Sequence, residues 1–242
     1  MLQEPFYSWQ QHFAVELNGA RAVFTTRRGG FSTGPYASLN LGRFTADSQD
    51  AVERNRHRLE REAGQRLTFV RQVHGTRVHV RSAPADGAQP EEGDGQVVGR
   101  RGLAPVALTA DCLPVALGCD GAAAMLHAGW RGLAAGVIAE GVQALREVAD
   151  GQAIAAAIGP GAGACCYEVS EEVHRQFAAD ATIARRGNNL DLKAVARRQL
   201  SAAGVEVVHD ISMCTMCSPS LFFSHRREKG LTGRQAGVIW LR

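Results

Sequence analysis

The order of apolar and polar positions divides this chain into short strands and a few helices. Ala22-Val23-Phe24-Thr25-Thr26 reads as a strand, and Arg28-Gly29-Gly30 and Thr33-Gly34-Pro35 behind it read as loop. Residues 48–64 place Val52, Arg56 and Leu59 at helical spacing amid charge, with Asp47 or Ser48 as the N-cap. Leu67-Thr68-Phe69-Val70 predicts a short strand and Val78 to Val80 a second, while 83–95 is rich in Ala, Pro, Gly, Asp and Glu and predicts an exposed loop. Three short apolar runs follow, at 103–108, 113–117 and 122–126. Val137, Ile138, Val142, Leu145 and Val148 then share one face of a helix over 133–148. The rest of the pattern predicts a buried strand over 153–158, helices over 170–177 and 191–203, and strands over 205–208 and 238–241. No repeat or linker cuts the chain, so residues 1–242 read as one domain of mixed α and β structure.

Composition narrows the classes of partner. With 45% hydrophobic residues and a net charge of +3, neither nucleic acid nor an anionic membrane surface is called for. No apolar run approaches the roughly 20 residues that span a bilayer, and Met1 to Pro5 lacks the basic start and apolar stretch of a signal peptide. A cytoplasmic protein is the expectation. All but two of the 27 basic residues are arginine, the exceptions being Lys193 and Lys229, which leaves little room for Schiff-base chemistry. In a reducing compartment the six cysteines (Cys112, Cys119, Cys165, Cys166, Cys214 and Cys217) are thiols, ligands or core residues rather than disulfides. The C-x-x-C spacing of Cys214-Thr215-Met216-Cys217 suits a redox pair or half of a zinc site, but no second pair stands at a suitable spacing, so buried thiols are expected there.

Three residues invite a metal. His74, Cys112 and His127 each sit where a predicted strand gives way to a glycine-containing loop or to a sharp change of pattern, and strand ends can converge at one sheet edge. Imidazole nitrogen and thiolate sulfur suit Zn²⁺, and three protein ligands with a fourth position open is the pattern of a catalytic zinc. Their wide separation in sequence requires a prior fold to gather them; the alternative is that each is a satisfied core residue. Asp111, next to Cys112, is either a carboxylate that orients a ligand imidazole or a turn residue. Gly129-Trp130-Arg131-Gly132 leads into the 133–148 helix, where free backbone N–H groups and Arg131 favour an anion such as phosphate.

Several segments together carry a resemblance: Thr25-Thr26-Arg27-Arg28-Gly29-Gly30, Tyr36-Ala37-Ser38-Leu39-Asn40-Leu41-Gly42, Gln72-Val73-His74-Gly75, Thr109-Ala110-Asp111-Cys112-Leu113-Pro114-Val115 and His127-Ala128-Gly129-Trp130-Arg131-Gly132. Ile158-Gly159-Pro160, Cys166-Tyr167-Glu168-Val169, Cys214-Thr215 and Phe222 to Arg227 extend it. In this order they resemble the bacterial laccase-domain family, also called multicopper polyphenol oxidoreductase, purine nucleoside phosphorylase or peptidoglycan editing factor. The resemblance implies a single α+β domain of packed mixed β-sheets flanked by helices, with a catalytic zinc on His74, Cys112 and His127. It also implies phosphorolysis of adenosine, inosine, guanosine and methylthioadenosine, and adenosine deamination, so that purine nucleosides and phosphate are the expected partners. Arg27 and Asn40 match family positions near the site, and Arg226 falls in the family's C-terminal arginine motif; with Arg131 they are the expected substrate contacts.

This chain departs from the family's pattern after Gly42, where Phe44-Thr45-Ala46-Asp47 replaces a His-Val-Gly-Asp stretch, and at Asp94-Gly95-Gln96, which replaces Ala-Asp-Ala. Three rivals stay open. One is a thiol hydrolase in peptidoglycan precursor editing, with Cys112 as nucleophile and His74 or His127 as base. Another is a copper-dependent polyphenol oxidase, weakened because Met125 has no evident claim to an axial position and further histidine clusters are missing. The third is a binding module whose histidines are structural.

Overall fold

In a computed structural model of the chain, residues 2–83, 90–149 and 152–242 are described, and all that follows concerns them. The strands are β1 (Tyr7–Trp9), β2 (His12–Leu17), β3 (Ala20–Phe24), β4 (Arg66–Thr68), β5 (Val78–Arg81), β6 (Gly95–Val98), β7 (Leu103–Thr109), β8 (Leu113–Cys119), β9 (Ala122–Ala128), β10 (Ala155–Ile158), β11 (Arg185–Arg186), β12 (Asn189–Leu190), β13 (Val207–Asp210) and β14 (Gln235–Leu241). The α-helices are α1 (Gln49–Ala63), α2 (Trp130–Ala135), α3 (Val137–Val148), α4 (Glu171–Gln176), α5 (Ala181–Ala184) and α6 (Leu192–Ala202).

Two six-stranded sheets stack face to face, one in the order β1-β2-β3-β14-β7-β4, the other β13-β10-β8-β9-β6-β5. Three apolar layers follow from this stacking. Leu17, Ala22, Phe24, Ala116, Ala123, Met125 and Ile239 fill the space between the sheets. Leu117, Leu126, Ile138, Val142, Leu145, Val195 and Leu200 seal α3 and α6 onto the second sheet. Val23, Leu41, Leu59, Val238 and Trp240 bury the outer face of the first sheet beneath α1. The family's expected α+β architecture is therefore present, with helices on both outer faces of the pair of sheets. No described helix is long and apolar enough to cross a membrane.

Small residues let the sheets approach closely. At Gly237 in β14 a Cβ would lie 2.6 Å from the Pro114 Cβ and 2.8 Å from the Met125 Sδ, so only hydrogen fits. β8 and β9 are buried along their whole length, which is why they appear in sequence as apolar runs rather than as alternating strands.

Several boundaries differ from the sequence reading. The helix expected over 133–148 is two helices, because Gly136 has φ +94°, a left-handed conformation that ends α2 and starts α3. The helix expected over 48–64 is capped by Ser48, whose side chain accepts from the Ala51 amide, and is closed by Gly64 in the left-handed region. The strand expected over 205–208 lies two residues later and pairs in parallel with β10. Of the loop expected over 83–95, residues 84–89 lie outside the described residues, and Gly95 already belongs to β6.

Candidate metal centre and the cavity above it

Neighbouring strands deliver the donors. β8 and β9 form a hairpin in which Leu113 faces Ala128 and Pro114 faces His127, so Cys112, one residue before β8, emerges beside His127 at the same end of the sheet. β6 pairs with β9 on the other side, and the Asp94 carbonyl just before it accepts the His127 amide at 2.7 Å. The loop between β4 and β5 brings His74 over from the first sheet. Gln72 fixes that loop by exchanging two side-chain hydrogen bonds with the backbone of Leu108, each 2.8 Å long.

The three side chains expected to share a metal are gathered, with one donor atom from each lying within 4.8 Å of the others. His74 Nε2 is 3.8 Å from Cys112 Sγ, and the His74 and His127 rings meet edge to face at 4.9 Å. Gly129 is the hinge that admits them, since a Cβ there would stand 2.9 Å from His74 Cδ2 and 3.0 Å from Cys112 Sγ.

A carboxylate does orient an imidazole, but it is Asp94 rather than Asp111. Asp94 Oδ1 is 2.8 Å from His127 Nδ1, which leaves Nε2 as that ring's free donor. The same buried carboxylate accepts the amides of Val73, His74 and Gly75 at 3.2, 2.9 and 2.7 Å, holding His74 in a left-handed backbone conformation with φ +59°. Such strain in a non-glycine residue persists only where surrounding contacts over-determine it. Asp111, also left-handed at φ +96°, accepts from the Thr215 hydroxyl at 2.6 Å and from the Arg226 amide at 2.8 Å, so it ties down the C-terminal loop instead. Asp94 passed unnoticed in the sequence because it stood out only as a departure from a family pattern; its signal was a carboxylate between two glycines immediately before an apolar strand.

Electrostatics favour a thiolate here. Burial alone would push the Cys112 thiol up, yet the imidazoles of His127 and His74 outweigh it and bring it down to about 6. Burial acts against charge on His127 too, but the Cys112 thiolate and the Asp94 carboxylate raise it to about 9. Without a metal, the pair is a thiolate beside an imidazolium. The donor chemistry, two imidazoles and a stabilised thiolate with an orienting carboxylate behind one of them, fits a divalent metal with nitrogen and sulfur preference.

The donors open onto a cavity of about 620 Å³. Phe69, Trp130 and Tyr167 supply aromatic surface, and Arg43, Arg56, Arg71, Arg131, Arg226 and Arg234 make its lining strongly cationic against Asp111. Arg43 pairs with Glu53 and Arg71 with Glu92, whereas Arg131 stacks on Trp130 at 4.3 Å and Arg226 lies over Tyr167 at 5.3 Å. Thr109 also lines it, and its buried hydroxyl has no partner among the described residues.

Arg131 and Arg226 thus reach the cavity, while two other expected substrate contacts do not. Arg27 points away, stacked at 4.4 Å over Phe223 and bonded to Glu228 at 3.0 Å and to the Ala37 carbonyl at 2.7 Å. Asn40 is fully buried, its oxygen accepting the Gly42 and Arg234 amides and its nitrogen donating to Thr45 and Asp47. Asn40 shapes the wall from behind through Gly42, Thr45 and Arg234, which line the cavity. The buried thiols expected at Cys214 and Cys217 are also corrected, since Cys214 is half-buried, Cys217 is exposed, and Cys165 and Cys166 meet them.

Paired sheets with a two-histidine, one-cysteine donor set at the edge of a cationic cavity define a class of metal-site α+β proteins. Residues 21–242 match the family described as multi-copper polyphenol oxidoreductase laccase, and the chain belongs to that family. It is 41% identical to a purine nucleoside phosphorylase of Corynebacterium glutamicum over 91% of this chain and 94% of the relative. It is 37% identical to the purine nucleoside phosphorylase YfiH of Escherichia coli K12, over 92% and 94%. The crystal structure of the hypothetical protein YfiH from Bacillus licheniformis superposes with a TM-score of 0.92 at 32% identity, covering 99% of this chain and all of that one.

Proposed function

We infer that this protein is a zinc-dependent purine nucleoside phosphorylase acting on adenosine, inosine, guanosine and methylthioadenosine, with an adenosine deaminase activity at the same site. The observation that carries this reading is the placement of His74, Cys112 and His127 at the floor of a cavity whose walls are aromatic and arginine-rich. The activity named for the relatives supports it.

His74, Cys112 and His127 would hold the zinc, which would supply Lewis-acid chemistry when bound. The chain's own groups do the rest. Trp130, Tyr167 and Phe69 offer flat faces for a purine, and Arg131, Arg226 and Arg234 offer positive charge for phosphate. In phosphorolysis a phosphate oxygen bonds to C1′ of the ribose as the C1′–N bond breaks, and the base leaves with the electron pair and takes up a proton. Holding the anion and the sugar together in the cavity lowers the entropic part of that barrier. The Tyr167 phenol is pushed up to about 12 by burial and by the Cys112 thiolate, so it stays protonated and can donate a hydrogen bond to the departing base. In deamination, water attacks C6 of adenine and ammonia leaves. A cytoplasmic setting keeps Cys112 reduced for either reaction.

Zinc-loaded protein given inosine and phosphate is expected to release hypoxanthine, and given adenosine to release ammonia, with both products lost in His127→Ala. Absence of both products from the loaded wild-type protein rejects the reading. A cysteine hydrolase acting in peptidoglycan precursor editing is the second reading, favoured by the depressed Cys112 thiol. It requires hydrolysis by metal-free protein and loss of that activity on alkylation, the opposite of the zinc dependence expected here. Copper is the weaker metal choice: Met125 is packed between the sheets, and the other donor cluster among the described residues contains only cysteine.

A further inference from the structure

Four sulfurs converge behind the loop that carries Tyr167. Cys165 and Cys166 precede that tyrosine, and Cys214 and Cys217 lie in the turn after β13. The two segments are joined by backbone: Gly161 pairs in parallel with Cys214, and the Thr215 amide donates to the Gly161 carbonyl at 3.0 Å. Cys217 Sγ consequently stands 3.5 Å from Cys165 Sγ and 3.2 Å from Cys166 Sγ, and all four sulfurs lie within 4.8 Å of one another.

We propose that Cys165, Cys166, Cys214 and Cys217 bind a second zinc ion as a closed tetrathiolate clasp. A zinc–sulfur bond of about 2.3 Å sets the edges of a tetrahedron of sulfurs near 3.8 Å, so small adjustments of exposed side chains complete the shell. Cys214 and Cys217 have the C-x-x-C spacing of a zinc knuckle, and four protein donors with no open position mark a structural site.

The backbone around Cys214 suits a ligand sulfur. The Gly163 amide donates to Cys214 Sγ at 3.2 Å, a contact that orients a ligand sulfur. Gly163 permits this approach, because a Cβ there would stand 3.2 Å from both Cys165 Sγ and Cys214 Cβ. Arg227 donates to the carbonyls of Thr215 and Met216 inside the knuckle, placing a positive charge beside a cluster whose thiolates outweigh the charge of one zinc ion. A disulfide explains the arrangement less well, since Cys217 is approached by two sulfurs at once and pairing with either leaves the remaining two gathered without purpose. The clasp would brace the cavity from behind, for Thr215 in this turn bonds Asp111 and Tyr167 follows directly on Cys166.

The test is metal content of the full chain, purified under reducing conditions without added metal and measured by plasma mass spectrometry. Wild-type protein is expected to carry two zinc ions per chain, and His74→Ala/His127→Ala to keep one. Cys165→Ser/Cys217→Ser, which alters only exposed side chains, is expected to lose one and retain the other. Cobalt added to the metal-free double-histidine variant should give the intense sulfur-to-metal charge transfer of a tetrahedral thiolate site. A double-histidine variant that binds neither zinc nor cobalt overturns the proposal, as does a Cys166–Cys217 disulfide in the protein so purified. Because that variant lacks the first site's histidines, failure of the clasp and failure of the proposed phosphorylase are read separately.

Discussion

Asp94 bears two duties that a single substitution can separate from the metal donors. Its carboxylate orients His127 and gathers three amides of the His74 loop, so Asp94→Asn is expected to weaken zinc binding about 10- to 100-fold while the protein still folds. Competition against a chelator of known affinity measures this; unchanged affinity would show that His127 needs no orienting partner. Glu228 is a second residue with a readable signature. Burial would raise its carboxyl, but hydrogen bonds from Thr232, Arg227 and the Ser224 amide hold it below the ordinary value of 4.5. Its stabilising contribution is therefore complete above that value and is lost as acid carries the pH down through its lower folded value. Denaturant titrations along the acid limb should show a shallower loss of stability in Glu228→Gln than in the wild type. The convergence of His74, Cys112 and His127 was legible because their chemistry is distinctive. Arg27 and Asn40 do not line the cavity, because proximity in a motif does not say which way a side chain points.

The elements were legible where one face is wet. α1 announced itself by periodicity and by Ser48 as its cap, and α6, also expected as a helix, is capped in the structure by Asp191, which accepts the Ala194 amide. The β1–β2 hairpin left little trace, because β2 buries residues on both faces and so loses its alternation. The break at Gly136 was hidden for another reason: the apolar positions of α3 continue the register expected of one longer helix. Close contact between the sheets makes an element-scale prediction. Gly237→Ala must force a methyl group against Pro114 and Met125, an overpacking worth about 1–3 kcal/mol. At about 2–4 °C per kcal/mol for a chain of this size, calorimetry should show a melting point lowered by several degrees. An unaltered melting point would mean that the sheets slide apart without cost.

At the scale of the whole molecule, the sandwich turns remote segments into one site. β14, from the end of the chain, lies between β3 and β7, and this order brings the C-terminal loop with Arg226 over a donor set built from residues 74, 112 and 127. Strand order of this kind is set by pairings between distant segments, which local periodicity does not encode; the family resemblance implied packed sheets but no strand order. Although the net charge is just +3, arginines are concentrated around the cavity. Phosphate capture should accordingly weaken as salt screens them, with KM for phosphate rising several-fold from low to high ionic strength and KM for inosine changing little. Steady-state kinetics with each substrate varied in turn checks this, and a salt-independent phosphate KM would place the anion elsewhere.

The central claim is that His74, Cys112 and His127 hold one metal whose free side faces the cavity. Anomalous diffraction at the zinc absorption edge, on crystals of the zinc-loaded protein, tests it most directly. The account predicts a peak bonded to one nitrogen of each histidine and to Cys112 Sγ, with a fourth position directed toward Tyr167 and Arg226. No peak there, or a fourth protein ligand closing the site, would contradict it.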